Sequence, residues 1–317
     1  MGTYAARRLV QAIPLLLGVM VLTFLVIQYL PGGPLALLAH NPHVNPARLA
    51  ILRHSLALDQ PGYLQFLHWL GGILSGDWGT SYTDNRPVLT DIGERLPATA
   101  LLMGSGFLLS LVLAVAIGVI AATRRYGLFD HASTLFAFFG LAMPVFWFGL
   151  MLQLLFAVHL GWLPAADMND ERSPPSLLGG LRHLILPALT LGITSIAGWS
   201  RYLRASLQDA LGQDYTRTAR AKGVPRRRII TRHALRNALI PLATVLALDL
   251  PGYFTGAVVV ETVFSWPGMG RLFFNSLNQR DYPVQLGLLL ISSALIILGN
   301  LVADLVYGLL DPRITYR

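Results

Sequence analysis

Between Ala98 and Ala122 the chain runs for 25 residues without one charged side chain. As an α-helix that run is about 37 Å long, more than the roughly 30 Å hydrocarbon core of a bilayer. A helix satisfies its own backbone hydrogen bonds, which lipid cannot do for it. Five further runs read the same way: about Leu9–Leu30, a stretch within His131–Leu160, Leu184–Leu203, Asn237–Val260 and Pro283–Tyr307. Charged residues make up only 13% of the chain, about half the ~25% usual for a soluble domain. The expected fold is an all-α membrane protein with six transmembrane helices.

The N-terminus needs its own decision, because a positive start and an apolar run also describe a secretory signal. Leu9–Leu30 is 22 residues long and uncharged. A signal peptide has a shorter apolar core and a small-residue cleavage site. The run is expected to be a retained first span.

Arginine and lysine set the orientation, since short cytoplasmic loops carry the excess. With the N-terminus inside, residues 1–8, 123–130, 201–236 and 308–317 are cytoplasmic and hold 16 of the 24 basic residues. The external segments hold ten of the 16 acidic ones, Asp170 and Glu171 among them. Both termini are therefore expected in the cytoplasm, with the chain in a cell membrane. Three parts are expected: residues 1–30 as tail and first span, 31–97 as a small external helical cap, and 98–317 as a five-helix core. In the cap, Ala47–Gln60 and Gly62–Leu74 have helical periodicity but cannot span. The later external stretch AADMNDERSPPSLLGG reads as loop.

The longest cytoplasmic piece, about 204–236, carries nine of the 24 basic residues. Asp214 can cap a helix start, Gly223 can end one in the left-handed conformation, and Pro225 suits the first turn of another. That layout predicts a helix of about eight residues, Tyr215–Lys222, with Arg217 and Arg220 on one face. The small Ala219 and Ala221 would let a partner approach closely. Topology and anionic lipid account for basic residues in general, but two arginines would suffice for topology.

Chemistry on the chain itself is narrowly bounded. There is no cysteine, which excludes disulfides and thiolate metal sites. A P-loop needs G-x-x-x-x-G-K-[ST], and the single lysine, Lys222, is followed by Gly223 and Val224. No HExxH or GxSxG is present, and His40 and His43 are separated by Pro42. No catalytic residue, metal site or cofactor is expected, and the chain does not read as an enzyme. Inside the spans, Asp249 is the one deep acidic group. It reads either as a cation-attracting group on a solute path, for example for a peptide amine, or as a buried group bonded to a neighbouring helix. Pro251 and Gly252 are expected to distort the helix beside it, and Pro144 and Pro187 to kink the third and fourth spans. Small residues such as Gly192, Ser195, Ala197, Gly256 and Ala257 permit close helix contact, and Gly256 and Glu261 are candidates for the path. His159 reads as interfacial.

Several long motifs in order carry a resemblance. YTRTARAKG with RHALRNALIP is similar to the cytoplasmic "EAA" loop of ABC-importer permeases of the dipeptide, oligopeptide and nickel type. QYLPGGP, GDWGTSYTDNRPVLTDIGERLPATALL, GAVVVETVFSWPGMGRLFFNSLNQRDYPVQ and DLVYGLLDPRI look like the same family, over almost the whole chain. The resemblance implies that Asp214, Tyr215, Arg217, Thr218, Ala219, Arg220, Ala221, Lys222 and Gly223 form a coupling helix seated in an ATPase. Arg217 stands near the place of the name-giving Glu, a departure that bears on a Glu-mediated contact and not on the docking itself. It also implies the partners: a second homologous permease, two ATP-binding cassette subunits that hold ATP and Mg, and an external solute-binding protein. Glu261, Phe264, Trp266 and Arg271 would belong to a re-entrant external loop. The alternative is an ion-coupled secondary transporter with Asp249 as its ion site, which needs no docking helix.

Overall fold

The computed structural model describes residues 2–29, 54, 59–169 and 176–310. The segment holding His40, His43 and most of Ala47–Gln60, the acidic pair Asp170 and Glu171, and the C-terminal DPRI motif lie outside the described residues. Every described element is helical apart from one isolated bridge between Thr80 and Pro87. The helices are α1 (Gly2–Gln28), α2 (Gly62–Ser75), α3 (Val88–Thr123), α4 (Leu128–Ala142), α5 (Val145–His159), α6 (Leu177–Gly212), α7 (Asp214–Ala221), α8 (Arg226–Asp249), α9 (Gly252–Val263), α10 (Met269–Gln279) and α11 (Tyr282–Leu310).

Among the described residues three helices, α3, α6 and α11, are each long and apolar enough to cross a bilayer. If each of two bent pairs is counted as one span, the number among the described residues is five. The apolar stretch of α1, Val10–Val26, is shorter than a full span. The third expected span is not one helix with a kink. It is α4 and α5 meeting at 112°. The cause is local: a residue before proline is pushed out of the α region, and Met143 is extended at φ −82°, ψ 128° ahead of Pro144. The fifth is α8 and α9 bent by 59°. There Pro251 removes a backbone donor and crowds the preceding turn. Pro187, by contrast, is absorbed within a continuous α6. Both α5 and α8 contain a wide π-helical stretch, Gln153–His159 and Ile229–Ala234. His159 is exposed, and its Nδ1 donates to the Leu154 carbonyl at 2.8 Å.

The chain divides into two compact units. The larger holds residues 98–271 and the end of α11 from 298. Its centre is α6, which packs on α4, α5, α8 and α9 and buries Leu191, Ile196, Trp199, Leu203 and Leu207. Small residues set the closest approaches. A Cβ on Gly118 would lie 2.9 Å from the Ser200 carbonyl, and one on Gly192 would lie 2.1 Å from the Ser110 hydroxyl. Gly118→Val is expected to cost about 2 kcal/mol by overpacking, read as a lower melting temperature in detergent. An unchanged melting temperature would show that these helices part freely.

Asp130, in the first turn of α4 and 2% exposed, accepts from Nε and Nη2 of Arg204 on α6. The backbone N–H of Tyr126 also donates to it at 2.9 Å. Charge-assisted hydrogen bonds of this kind are worth about 2 kcal/mol. Asp130→Ala is therefore expected to destabilise the protein by about that amount, whereas Asp130→Asn keeps one acceptor and should lose less. Equal melting of the two variants would count against the ion pair.

The second unit holds residues 2–97 and 272–297. In it Phe24 of α1 meets Phe66 of α2 edge-on at 5.5 Å, with Trp69 6.0 Å from Phe66. The buried Asp281 organises the turn before α3: Ser81 Oγ donates to it at 2.5 Å, and the Tyr82 and Thr83 N–H groups donate at 3.2 and 3.3 Å. Burial, reinforced by the Asp281 charge, pushes the Tyr82 phenol up, so that it stays neutral.

Candidate functional site

Two places in the larger unit carry the residues singled out by sequence. The first is α7. Its eight residues follow a one-residue break from α6, and its N-cap is Gln213, not Asp214. Gln213 makes no side-chain cap bond, and Asp214 occupies the first turn, where a negative charge complements the helix dipole. The Thr216 hydroxyl ties the helix down by donating to the Leu211 and Gln213 carbonyls at 2.9 and 2.7 Å. Gly223 ends it at φ +75°, a conformation only glycine adopts without strain. Pro225 is the N-cap of α8.

Burial divides α7 into two faces. Thr216 and Ala219 are buried in the chain's own fold. Ala219 thus faces inward and gives a partner no access, unlike the exposed Ala221. Tyr215, Arg217, Thr218, Arg220 and Lys222 are exposed as well. Beside α7 lies a hollow of about 370 Å³ with Leu211, Val224, Ile229 and Ile230 in its walls and Arg220 and Arg226 among its lining. The Arg217–Asp214 pair at 3.5 Å is solvent-exposed and holds little energy.

The second place is a cavity of about 580 Å³ where α6 faces the bend between α8 and α9. Asp249 and Gly256 line it, together with Ser195, Trp199 and Tyr253. Asp249 is exposed to the cavity, and one oxygen accepts from the Trp199 indole at 2.7 Å. Features of both sequence readings of Asp249 are present at once, lining a cavity and bonding to a neighbouring helix. No local sequence pattern joins Trp199 to Asp249, which lies 50 positions away.

Glu261, a candidate for the path, is not among the cavity's lining residues. It is 0% exposed. Thr99 Oγ1 donates to Oε1 at 2.7 Å, and the Gly270 and Arg271 N–H groups donate to Oε2 at 2.7 and 3.1 Å. Trp266, also 0% exposed, donates its indole N–H to the Ala98 carbonyl at 2.9 Å. These contacts fasten the turn after α9 to the start of the apolar part of α3. Gln153 and Asp167 join the same region through the Val263 and Phe264 carbonyls.

Among the described residues no group of three or more His, Asp or Glu could hold a metal ion. Long apolar helices, two of them broken beside a cavity, with a short basic helix exposed at the end of α6, are the build of a multi-pass membrane protein. Residues 114–316 match the family described as binding-protein-dependent transport system inner membrane component, and residues 1–103 match the N-terminal family of such membrane components. The chain belongs to the binding-protein-dependent transport system inner-membrane component family, and is a transport subunit rather than an enzyme. It is 42% identical to the oligopeptide transport system permease protein AppB of Bacillus subtilis over the full length of both chains. It is 38% identical to the dipeptide transport system permease protein DppB of Escherichia coli K12, with 99% of each covered. It is 39% identical to the glutathione transport system permease protein GsiC of Salmonella typhi, again over all of both chains.

Proposed function

We propose that the chain forms half of the translocation path of an ATP-driven importer for peptides or a related small solute. A second homologous permease supplies the other half, two ATPase subunits bind ATP and Mg, and an external solute-binding protein delivers the solute. The observation that carries the reading is α7. A helix of eight residues has its inner face pinned by Thr216 and Ala219 and its outer face left basic, as a docking element between a membrane bundle and a motor requires. The peptide assignment rests on the relatives, which are named for oligopeptide, dipeptide and glutathione transport. The arginine distribution supports six spans with both termini in the cytoplasm.

The cycle we propose uses this geometry. ATP binding closes the two ATPases and draws their docked helices together. Because α7 is bonded to the end of α6 and followed at once by α8, its displacement moves the two helices that flank the cavity. The path then opens outward to the binding protein. Gly256 and Asp249 lie on the path. Glu261 supports its external end.

Co-purification of the tagged chain from its native membrane tests the reading. Recovery of a second permease with one or more ATPases is expected, and uptake should stop when ATP is depleted. Recovery of this chain alone, with uptake that survives ATP depletion, would overturn it in favour of an ion-coupled transporter using Asp249.

A further inference from the structure

We infer that Asp249 forms a subsite in the cavity for a protonated amine on the translocated solute. The inference rests on the reading of that cavity as part of the path.

Four observations meet at this carboxylate. Among the described residues it is the only charged side chain lining the cavity, and no cation among them lies within ion-pair distance of it. An unpaired carboxylate within a spanning segment is costly, and such groups face a pathway or a partner. Its position is built and not accidental. The Trp199 ring, 1% exposed, is held by Phe107 edge-on at 5.3 Å and by Tyr253 stacked at 6.1 Å. Its indole N–H fixes Oδ2 at 2.7 Å. The other oxygen, Oδ1, has no hydrogen-bond partner among the described residues and is free to accept.

The surroundings select the kind of cation. Leu141, Val145, Leu191, Leu248 and Val259 give the cavity apolar walls, which lower the local dielectric and strengthen attraction to the carboxylate. Trp199 and Tyr253 also line it, but at 1% and 4% exposure they hold the carboxylate in place and do not offer a ring face to the solute. A hard metal ion needs six or more oxygen ligands, and no acidic or histidine cluster is available among the described residues. An ammonium group needs one charged acceptor and neutral company, which is what the cavity offers. The bend at Pro251 places the carboxylate at the break between α8 and α9, where proline cannot donate to the Ala247 carbonyl. The amino terminus of a peptide is the chemistry that fits.

The test uses the whole complex in proteoliposomes, with saturating binding protein and dialanine as the probe. Asp249→Asn is expected to lower ATP-driven uptake by about tenfold, the scale of one charge-assisted hydrogen bond. Asp249→Glu, which keeps the charge, should retain most of the uptake. Both variants should still assemble, read as recovery of the ATPases with the tagged chain. Normal uptake by Asp249→Asn, or an equal defect in Asp249→Glu, would overturn the subsite. If Asp249→Asn does not assemble, the unmutated complex decides: butylammonium should inhibit uptake more strongly than butanol at equal concentration, and equal inhibition would overturn it. Absence of ATP-driven uptake in the unmutated complex would instead remove the importer reading, and the subsite with it.

Discussion

Replacing Glu261 with Ala is expected to cost about 4 kcal/mol and to leave little folded protein in the membrane. The carboxylate is 0% exposed and takes three hydrogen bonds, two of them from backbone N–H groups that cannot turn away. Truncation strands all three donors in a space that water does not reach, and each stranded buried donor costs about 1–3 kcal/mol. Glu261→Gln separates charge from shape. Its amide oxygen can still accept from Gly270 and Arg271, while its NH2 can donate to the Thr99 hydroxyl. Neutral hydrogen bonds replace charged ones, for a loss of about 1–2 kcal/mol. Gly268→Ala should resemble the truncation, because its new Cβ would lie 2.2 Å from Glu261 Oε1. The measurement is the melting temperature and membrane abundance of the three variants. Melting of Glu261→Ala at the unmutated temperature would refute the joint. So would Glu261→Gln behaving as badly as Glu261→Ala, since the acceptors would then not be what matters.

How far such features can be read from sequence depends on whether their cause is local. The apolar runs announce helices, but their limits mark lipid and not helix. α3 begins at Val88, ten residues before the uncharged run, because Asp91, Glu94 and Arg95 are polar yet helical. α6 overruns its apolar stretch at both ends for the same reason. The stops of α7 were legible because glycine and proline act within one or two residues. Both proline breaks were legible as sites, whereas the size of the bends, 112° and 59°, depends on packing around them. The exposed basic face of α7 could be counted from helical spacing, but Ala219 turned inward because the break at Gln213 sets the helix phase. Glu261 is bound by Thr99, 162 positions earlier. Asp281 holds Ser81, 200 positions away. Nothing along the chain distinguishes these carboxylates from solvated ones, since their partners are chosen by tertiary contact.

Reversing Arg217 and Arg220 to Glu is expected to abolish coupled uptake while leaving the chain inserted and folded. Both side chains are exposed, Arg217 at 72%, and the contacts that hold α7, from the Thr216 hydroxyl and buried Ala219, are untouched. The fold loses only the exposed pair with Asp214, worth well under about 1 kcal/mol. A docking partner that meets this face is acidic or offers carbonyl oxygens to it. Two reversed charges turn attraction into repulsion, and like-charge juxtaposition across an interface costs several kcal/mol. Uptake should therefore fall by a hundredfold or more, on the order of the tenfold per 1.4 kcal/mol that binding follows. Stimulation of ATP hydrolysis by the binding protein should vanish with it, and the ATPases should no longer travel with the tagged chain. Arg217→Gln with Arg220→Gln should show a smaller loss, because it removes attraction without adding repulsion. Raised salt should weaken docking of the unmutated complex in the same direction, since exposed charges are screened beyond about 10 Å at 0.1 M ionic strength. Full uptake in the reversed variant, with the ATPases still bound, would mean that the motor grips the bundle elsewhere and that the basic face of α7 serves only orientation.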